Sequence, residues 1–253
     1  MTISESSCPN KRNPGAFMAK SRKKIGIMGG TFDPIHLGHL MLAEKTYEQL
    51  GLDQILFLPA GNPPHKRNRK GCASDEERVE MVRRAIEGNS HFTLSLIEMN
   101  VTGYTYTYRT LENLKEKNPD TDYYFIIGAD SLFNFSSWRE PKRICDACTL
   151  VVAARDHATA WQLQAEMNRL SGLYGGHFIL LDTVNVDISS QQLRQWCRIG
   201  HSLRQYVPDS VAAYIEEHNL YRIADLLQDT KDENGKLPIH PWKSGINGTE
   251  KET

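Results

Sequence analysis

The sequence predicts an α/β fold: a doubly wound, parallel, Rossmann-like sheet with a small C-terminal helical part. Two observations carry the sheet. Strand-like and helix-like segments alternate from residue 24 to residue 222, and several of the strand candidates are continuous apolar runs. A strand apolar on both faces belongs in a sheet covered by helices on both sides. Strand–helix alternation with right-handed crossovers makes neighbouring strands parallel.

The first strand is the apolar run KIGIM (24–28), closed by Gly29 and Gly30, and it leads into a helical pattern over 38–50. QILFLP (54–59) is the second strand, followed by a helical pattern at 75–88. FTLSLI (92–97) and a helix at 107–117 come next, then YYFIIG (123–128) and TLVVAA (149–154) as the two most apolar strands. A helix at 158–171 and the strand HFILLD (177–182) complete the alternation, and helices at 189–198 and 209–218 form the C-terminal part. Residues 1–23, rich in Ser, Pro, Asn and Lys/Arg, read as a disordered leader. Residues 223–253 are polar and without periodicity, and read as a flexible tail. The domain between them spans 24–222, and it holds no internal repeat.

Composition excludes several classes of function. Of 253 residues, 40% are hydrophobic and 24% charged, ordinary for a globular chain. A formal net charge of −1 gives no general attraction to nucleic acid or to a membrane surface. No apolar run approaches the roughly 20 residues of a spanning helix. The N-terminus is basic but lacks the apolar core of a secretory signal, which favours the cytoplasm. Five cysteines, an odd number, fit a reducing compartment. Cys145 and Cys148 form a C-x-x-C, yet no second pair completes a zinc site, and the pair abuts an apolar strand where cysteine packs as a small hydrophobe. The oligomeric state stays open, a homo-oligomer included.

The stretch MGGTFDPIHLGHL (28–40) lies where ligands bind in such sheets, beyond the carboxyl end of a strand. Gly29 and Gly30 let the backbone approach a ligand closely. The amides of Gly30, Thr31 and Phe32 could form an anion nest beside the N-terminus of the next helix. Pro34 stiffens the loop. His36 and His39, three apart, fall on one side of the loop–helix junction, as two donors gripping one phosphate chain would. The plainer alternative is a capping or packed histidine. A zinc pair lacks a nearby Cys or carboxylate partner, so no metal ligands are assigned. Neither G-x-G-x-x-G nor G-K-[ST] is present, so phosphate binding here must use imidazole and amide donors.

GGTFDPIHLGH resembles the signature of the H-x-G-H nucleotidyltransferases. Four further segments are similar to those of the bacterial nicotinate-nucleotide adenylyltransferases: LPAGNPPHK (58–66), YTYTYRTL (104–111), IIGADSLFNFSSWREPKRI (126–144) and the run from Asp187 to Tyr221. All five occur in order across residues 24–222. Shorter H-x-G-H families, the pantetheine-phosphate adenylyltransferases and glycerol-phosphate cytidylyltransferases, lack the SSW block together with the VPDSVAAYI ending. A non-catalytic nucleotide sensor on the same fold is the alternative from another class, and both histidines being kept argues against it.

The resemblance implies that ATP and nicotinate mononucleotide give nicotinate adenine dinucleotide and pyrophosphate, with Mg²⁺ carried on the ATP phosphates. It implies His36, His39 and Arg194 as the catalytic set on the triphosphate. Ser190, four residues before Arg194, shares its helix face, and Ser189 belongs to the same motif. The loop Gly29, Gly30, Thr31 and Phe32 belongs to the substrate side. Lys66 would neutralise the mononucleotide phosphate. Gly128 and Asp130 close the fourth strand, where Asp130 would take ribose hydroxyls or cap the following helix. Trp138 would stack on the pyridine ring, with Tyr106 and Thr107 on the nicotinate side. Three positions depart from the family pattern: Arg109 stands for Asp, Arg155-Asp156 for Arg-Pro-Gly, and Gln191 for Thr or a similar residue. Arg109 either reaches the pyridine pocket, or points to solvent or pairs with a helix neighbour such as Glu112.

Overall fold

The computed structural model describes residues 22–62, 71–99, 101–154, 158–183 and 188–222. The predicted leader up to residue 21, the tail from 223, and Lys66, Arg155 and Asp156 lie outside the described residues.

Six parallel strands form one sheet in the order β3-β2-β1-β4-β5-β6. They are β1 (Lys23–Gly30), β2 (Gln54–Pro59), β3 (Phe92–Leu94), β4 (Thr121–Gly128), β5 (Thr149–Ala153) and β6 (Phe178–Leu181). The chain winds outward from β1 to β3, then crosses back to start again at β4. The strand order therefore reverses between β1 and β4, and their carboxyl ends open a crevice there. Register aligns Gly30 of β1 with Pro59 of β2, and Met28 with Ile126 of β4.

Consecutive strand residues enter opposite cores, as the two-residue strand period requires. Met28, Phe57, Ile126 and Val151 face one core, shared with α1 (Leu37–Leu50), α2 (Asp75–Ile86), α7 (Ser190–Arg198) and α8 (Asp209–Glu217). Ile27, Leu58, Ile127 and Val152 face the other, covered by α3 (Thr107–Lys117), α5 (Pro141–Ala147) and α6 (Ala160–Tyr174). Local signals set the helix ends. Ser74 and Glu77 form a reciprocal capping box at the start of α2, with three acidic residues in its first turn. Gly51, at φ 55°, ends α1 in the left-handed conformation that a glycine adopts without strain.

All six predicted strands and all six predicted helical segments are present, with shifted ends. β1 starts at Lys23, one residue inside the predicted leader, because Lys23 already pairs with Thr121 of β4; Arg22 is held on Asp122 at 2.7 Å. β3 is three residues long, not six. It is an edge strand paired only with β2, and beyond Leu94 the chain turns away toward α3. The segment between β4 and β5 holds three elements that the sequence did not reveal: α4 (Ala129–Phe133), a 3₁₀ turn (Phe135–Ser137) and α5.

Cys145 and Cys148 lie buried in the second core as free thiols. Burial pushes their pKa values up to about 11 and about 12, so neither is a ready thiolate for metal or redox chemistry. Among the described residues, no helix is long and apolar enough to cross a membrane.

Candidate active site

The crevice begins at the end of β1. A Cβ on Gly30 would come within 3.1 Å of the Phe32 ring, so the turn packs tightly on its own next side chain. Phe32 has φ 51° and is buried, anchoring the loop in the core. The chain then enters α1 with His36 as its extended N-cap residue.

The two histidines are not equivalent. His36 is only 1% exposed, and its ring stacks on that of His39 with centroids 3.7 Å apart. The His36 backbone N–H donates to Nδ1 of His39 at 3.3 Å, and the Phe32 ring meets His39 edge-on at 5.1 Å. With Nδ1 accepting, a neutral His39 ring carries its proton on Nε2 and keeps that N–H as a donor. Spacing correctly puts both rings on one side, but stacking sets His39 against the cavity and His36 behind it.

Two cavities meet at this point. The larger, about 1120 Å³, is lined by polar groups that include Thr31, Asp130, Ser190 and Arg194. The smaller, about 330 Å³, is mostly apolar and is lined by Leu111, Phe125 and Trp138 together with Thr107, Thr110 and Glu98. Gly30, Thr31, His39, Gly128 and Ser131 border both, so His39 sits at their junction.

The polar chamber is held by a network around Asp33, which is 4% exposed. Its Oδ1 accepts from the Ala73 N–H at 3.1 Å and from the Tyr221 hydroxyl at 2.8 Å. Burial, with the Asp33 carboxylate beside it, pushes the Tyr221 phenol well above its usual range, which keeps it a donor. Arg194 Nη1 lies 3.6 Å from Asp33 Oδ2 and donates to the Asp33 carbonyl at 2.5 Å. Ser190 Oγ donates to the Pro34 carbonyl at 2.8 Å, bolting the start of α7 to the same loop. On the other side, Arg78 is 4% exposed and donates to the Thr31 carbonyl (2.6 Å), the Ala60 carbonyl (2.8 Å) and Asp75 Oδ1 (2.6 Å).

Most residues singled out from the sequence converge here. Gly29, Thr107 and Trp138 line the smaller cavity; Phe32, Asp130, Ser190 and Arg194 line the larger. Three do not border either cavity. His36 lies beneath His39. Tyr106 is the N-cap residue of α3, packed at the edge of the second core. Ser189 caps α7, its Oγ accepting from the Gln192 N–H at 3.2 Å. Arg109 takes the second of its expected positions, at the surface beside a helix neighbour, with Tyr108 rather than Glu112 as the partner. It is exposed, its Nε donates to the Tyr108 hydroxyl at 2.9 Å, and Glu112 is instead gripped by Arg143 through two hydrogen bonds. Asp33, Arg78, Glu98 and Tyr221 were not found from sequence. Asp33 stood inside the conspicuous D-P pair, whereas Arg78 is masked by the charge of its helix, DEERVEMVRR.

A parallel sheet reversing between β1 and β4, with an H-x-G-H loop at the reversal, defines a nucleotidyltransferase of the α/β class. The sequence model of the cytidylyltransferase-like family matches residues 27–196, and the chain belongs to that family and, within it, to the nicotinate-nucleotide adenylyltransferases. A relative from Lachnoclostridium phytofermentans, named "Probable nicotinate-nucleotide adenylyltransferase", is 40% identical over 199 residues, covering 79% of this chain and 99% of its own. One of the same name from Lactiplantibacillus plantarum is 41% identical over 204 residues, covering 80% and 90%. The Plasmodium falciparum nicotinic acid mononucleotide adenylyltransferase complexed with NaAD shares the fold: TM-score 0.65 at 22% identity, over 79% of this chain and 97% of that one.

Proposed function

We propose that this enzyme transfers the adenylyl group of ATP to nicotinate mononucleotide, releasing pyrophosphate and forming nicotinate adenine dinucleotide for NAD biosynthesis. The observation that carries it is the two-chambered cleft with the His39 Nε2–H at its seam. A polar chamber suits a triphosphate, an apolar one a pyridine ring, and the reacting α-phosphate then falls between them. The names of the bacterial relatives and the NaAD in the Plasmodium structure support the same substrates.

The attacking group is a phosphate oxygen, already ionised at neutral pH, so the protein needs no general base. Its work is in-line positioning and stabilisation of charge as it builds up at the α-phosphate and the leaving pyrophosphate. His39 donates at the α-phosphate, and His36 acts through it by fixing the ring. Arg194, braced by Asp33, offers its remaining donors to the β- and γ-phosphates as a planar fork. Asp130 takes ribose hydroxyls, and Lys66 neutralises the mononucleotide phosphate. Mg²⁺ enters as part of the ATP substrate and neutralises phosphate charge, a cation that characteristically keeps phosphate and water ligands. The Asp33 carboxylate is occupied by its own three partners and is not assigned to it. We place the enzyme in the cytoplasm, in keeping with its free buried thiols.

The deciding experiment measures pyrophosphate release from ATP with nicotinate mononucleotide and with the nicotinamide form. Turnover with preference for the acid is expected. Because Arg109 lies on Tyr108 outside both cavities, Arg109→Asp should leave that preference unchanged. No release with either substrate would overturn the activity, and preference for the amide would overturn the acceptor.

Trp138 gives a second check. It is partly buried and packs on Phe135 at 5.5 Å while its surface lines the apolar cavity. Trp138→Ala should raise KM for the mononucleotide about fivefold while changing KM for ATP less than about twofold, since stacking is worth on the order of 1 kcal/mol. Equal changes in both would make Trp138 a core residue only.

A further inference from the structure

Glu98 is a carboxylate in a place that sequence and mechanism both leave unexplained. Among the described residues lining the smaller cavity it is the only acid, and His39 is the only base. The other walls are aliphatic, aromatic, hydroxyl-bearing or glycine. Glu98 is held rigidly: its Oε1 accepts from the Thr110 hydroxyl at 2.6 Å, and it is hydrogen-bonded to the Gly61 backbone. Gly61 has no room for a Cβ against the Glu98 backbone, so the loop after β2 and the segment before α3 clasp each other here. Burial pushes the Glu98 pKa up, and the hydrogen bonds from Thr110 and Gly61 work against it. An acid kept in an apolar chamber at a desolvation cost gains from a positive partner there, and among the described residues lining the cavity only His39 could carry positive charge.

Resting on the activity proposed above, we propose that Glu98 is the counter-charge for the ring of the bound mononucleotide, making this cavity selective for a cationic ring. A pyridine ring linked to ribose through its nitrogen is a pyridinium and carries a formal positive charge. The Trp138 indole lines the same cavity, and an aromatic ring of this kind also attracts a cation. The chamber thus brings an anion and an indole to one flat cation, and desolvation strengthens both attractions. The carboxylate of the nicotinate ring must then face away from Glu98, which fixes which way round the ring lies.

The test uses two acceptors that differ in ring charge: nicotinate mononucleotide and its dihydro form, whose ring is neutral. KM is measured for each with wild type and with Glu98→Gln, which keeps the size of the side chain and an acceptor for Thr110. Thr110→Val, which weakens the tether and leaves the charge, reports the share due to loop clasping. Glu98→Gln should raise KM for the cationic substrate about tenfold and leave the dihydro form within about twofold, while Thr110→Val leaves the ratio of the two near wild type. An equal change in both acceptors, no change in either, or a ratio lost equally in Thr110→Val would overturn the assignment and leave Glu98 a structural clasp. Wild type that released no pyrophosphate with nicotinate mononucleotide would instead overturn the activity itself.

Discussion

His39→Ala is expected to lower turnover about 10²-fold or more, with the protein folded. The side chain reaches the seam between the cavities while its Nδ1 is tied to the His36 N–H, so the mutation removes one oriented donor and little core packing. Losing a single preorganised donor to developing negative charge costs about 2.7–4 kcal/mol of transition-state stabilisation. If the contact forms only as charge builds up, kcat and kcat/KM fall together, with KM for ATP nearly unchanged. His36→Ala behaves differently. That ring is buried under His39 at the helix N-cap, so its loss should lower the melting temperature as well as turnover. Steady-state kinetics with parallel thermal melts check both variants. A His39→Ala enzyme of near-normal turnover would sink the assignment.

The frame of this protein is written plainly in its sequence because all strands but β3 contain runs of four or more apolar residues and the main helices span at least two turns. Where elements are shorter, the period has no length over which to repeat. Residues 129–147 pack Leu132, Phe135 and Ile144 with no exposed surface, yet they are spread over a five-residue helix, a three-residue turn and a seven-residue helix. Each residue plugs the core at its own angle, and no common stripe results. β3 was overlong in sequence for a related reason: apolar character continues to Ile97, but pairing with β2 stops at Leu94, where the chain turns away toward α3.

The site was legible in the residue types that phosphates demand and opaque in what holds them. Gly30 and His39 could be picked out because they follow the end of the first strand, where such sheets meet a ligand, whereas Asp130 and Arg194 came from the family resemblance. That Tyr221 braces Asp33 could not be, for the two are 188 positions apart and meet only when α8 has packed on α2. The same holds for Glu98, which stands out as the one acid among the described residues lining a mostly apolar chamber, a property of the folded wall and not of the segment LIEMN.

Arg78→Met should destabilise the protein by about 3 kcal/mol and weaken binding of both substrates, because Arg78 is the strut between two loops that border the cleft. One guanidinium nitrogen holds the Thr31 carbonyl in the loop after β1; the other holds the Ala60 carbonyl in the loop after β2, and also Asp75 at the start of α2. Hydrogen bonds to a charged group contribute about 1.5–3 kcal/mol each, and the two at backbone carbonyls are almost fully removed from water. Methionine fills much of the volume but bonds neither carbonyl, so each must find water or shift. For a domain of about 200 residues the expected fall in melting temperature is roughly 6–12 °C. The loops that carry Thr31 and Gly61 line the larger cavity, so KM for ATP and for the mononucleotide should both rise, by about tenfold. Arg78→Lys keeps the charge but lacks the fork, and a single ammonium cannot serve carbonyls on two loops with the same geometry. Its melting temperature should fall between those of wild type and Arg78→Met, while KM rises nearly as far as in the methionine variant. Melting curves and steady-state kinetics on the three proteins decide the matter. If Arg78→Met melted with wild type and bound both substrates normally, the two loops would be held by something other than this arginine.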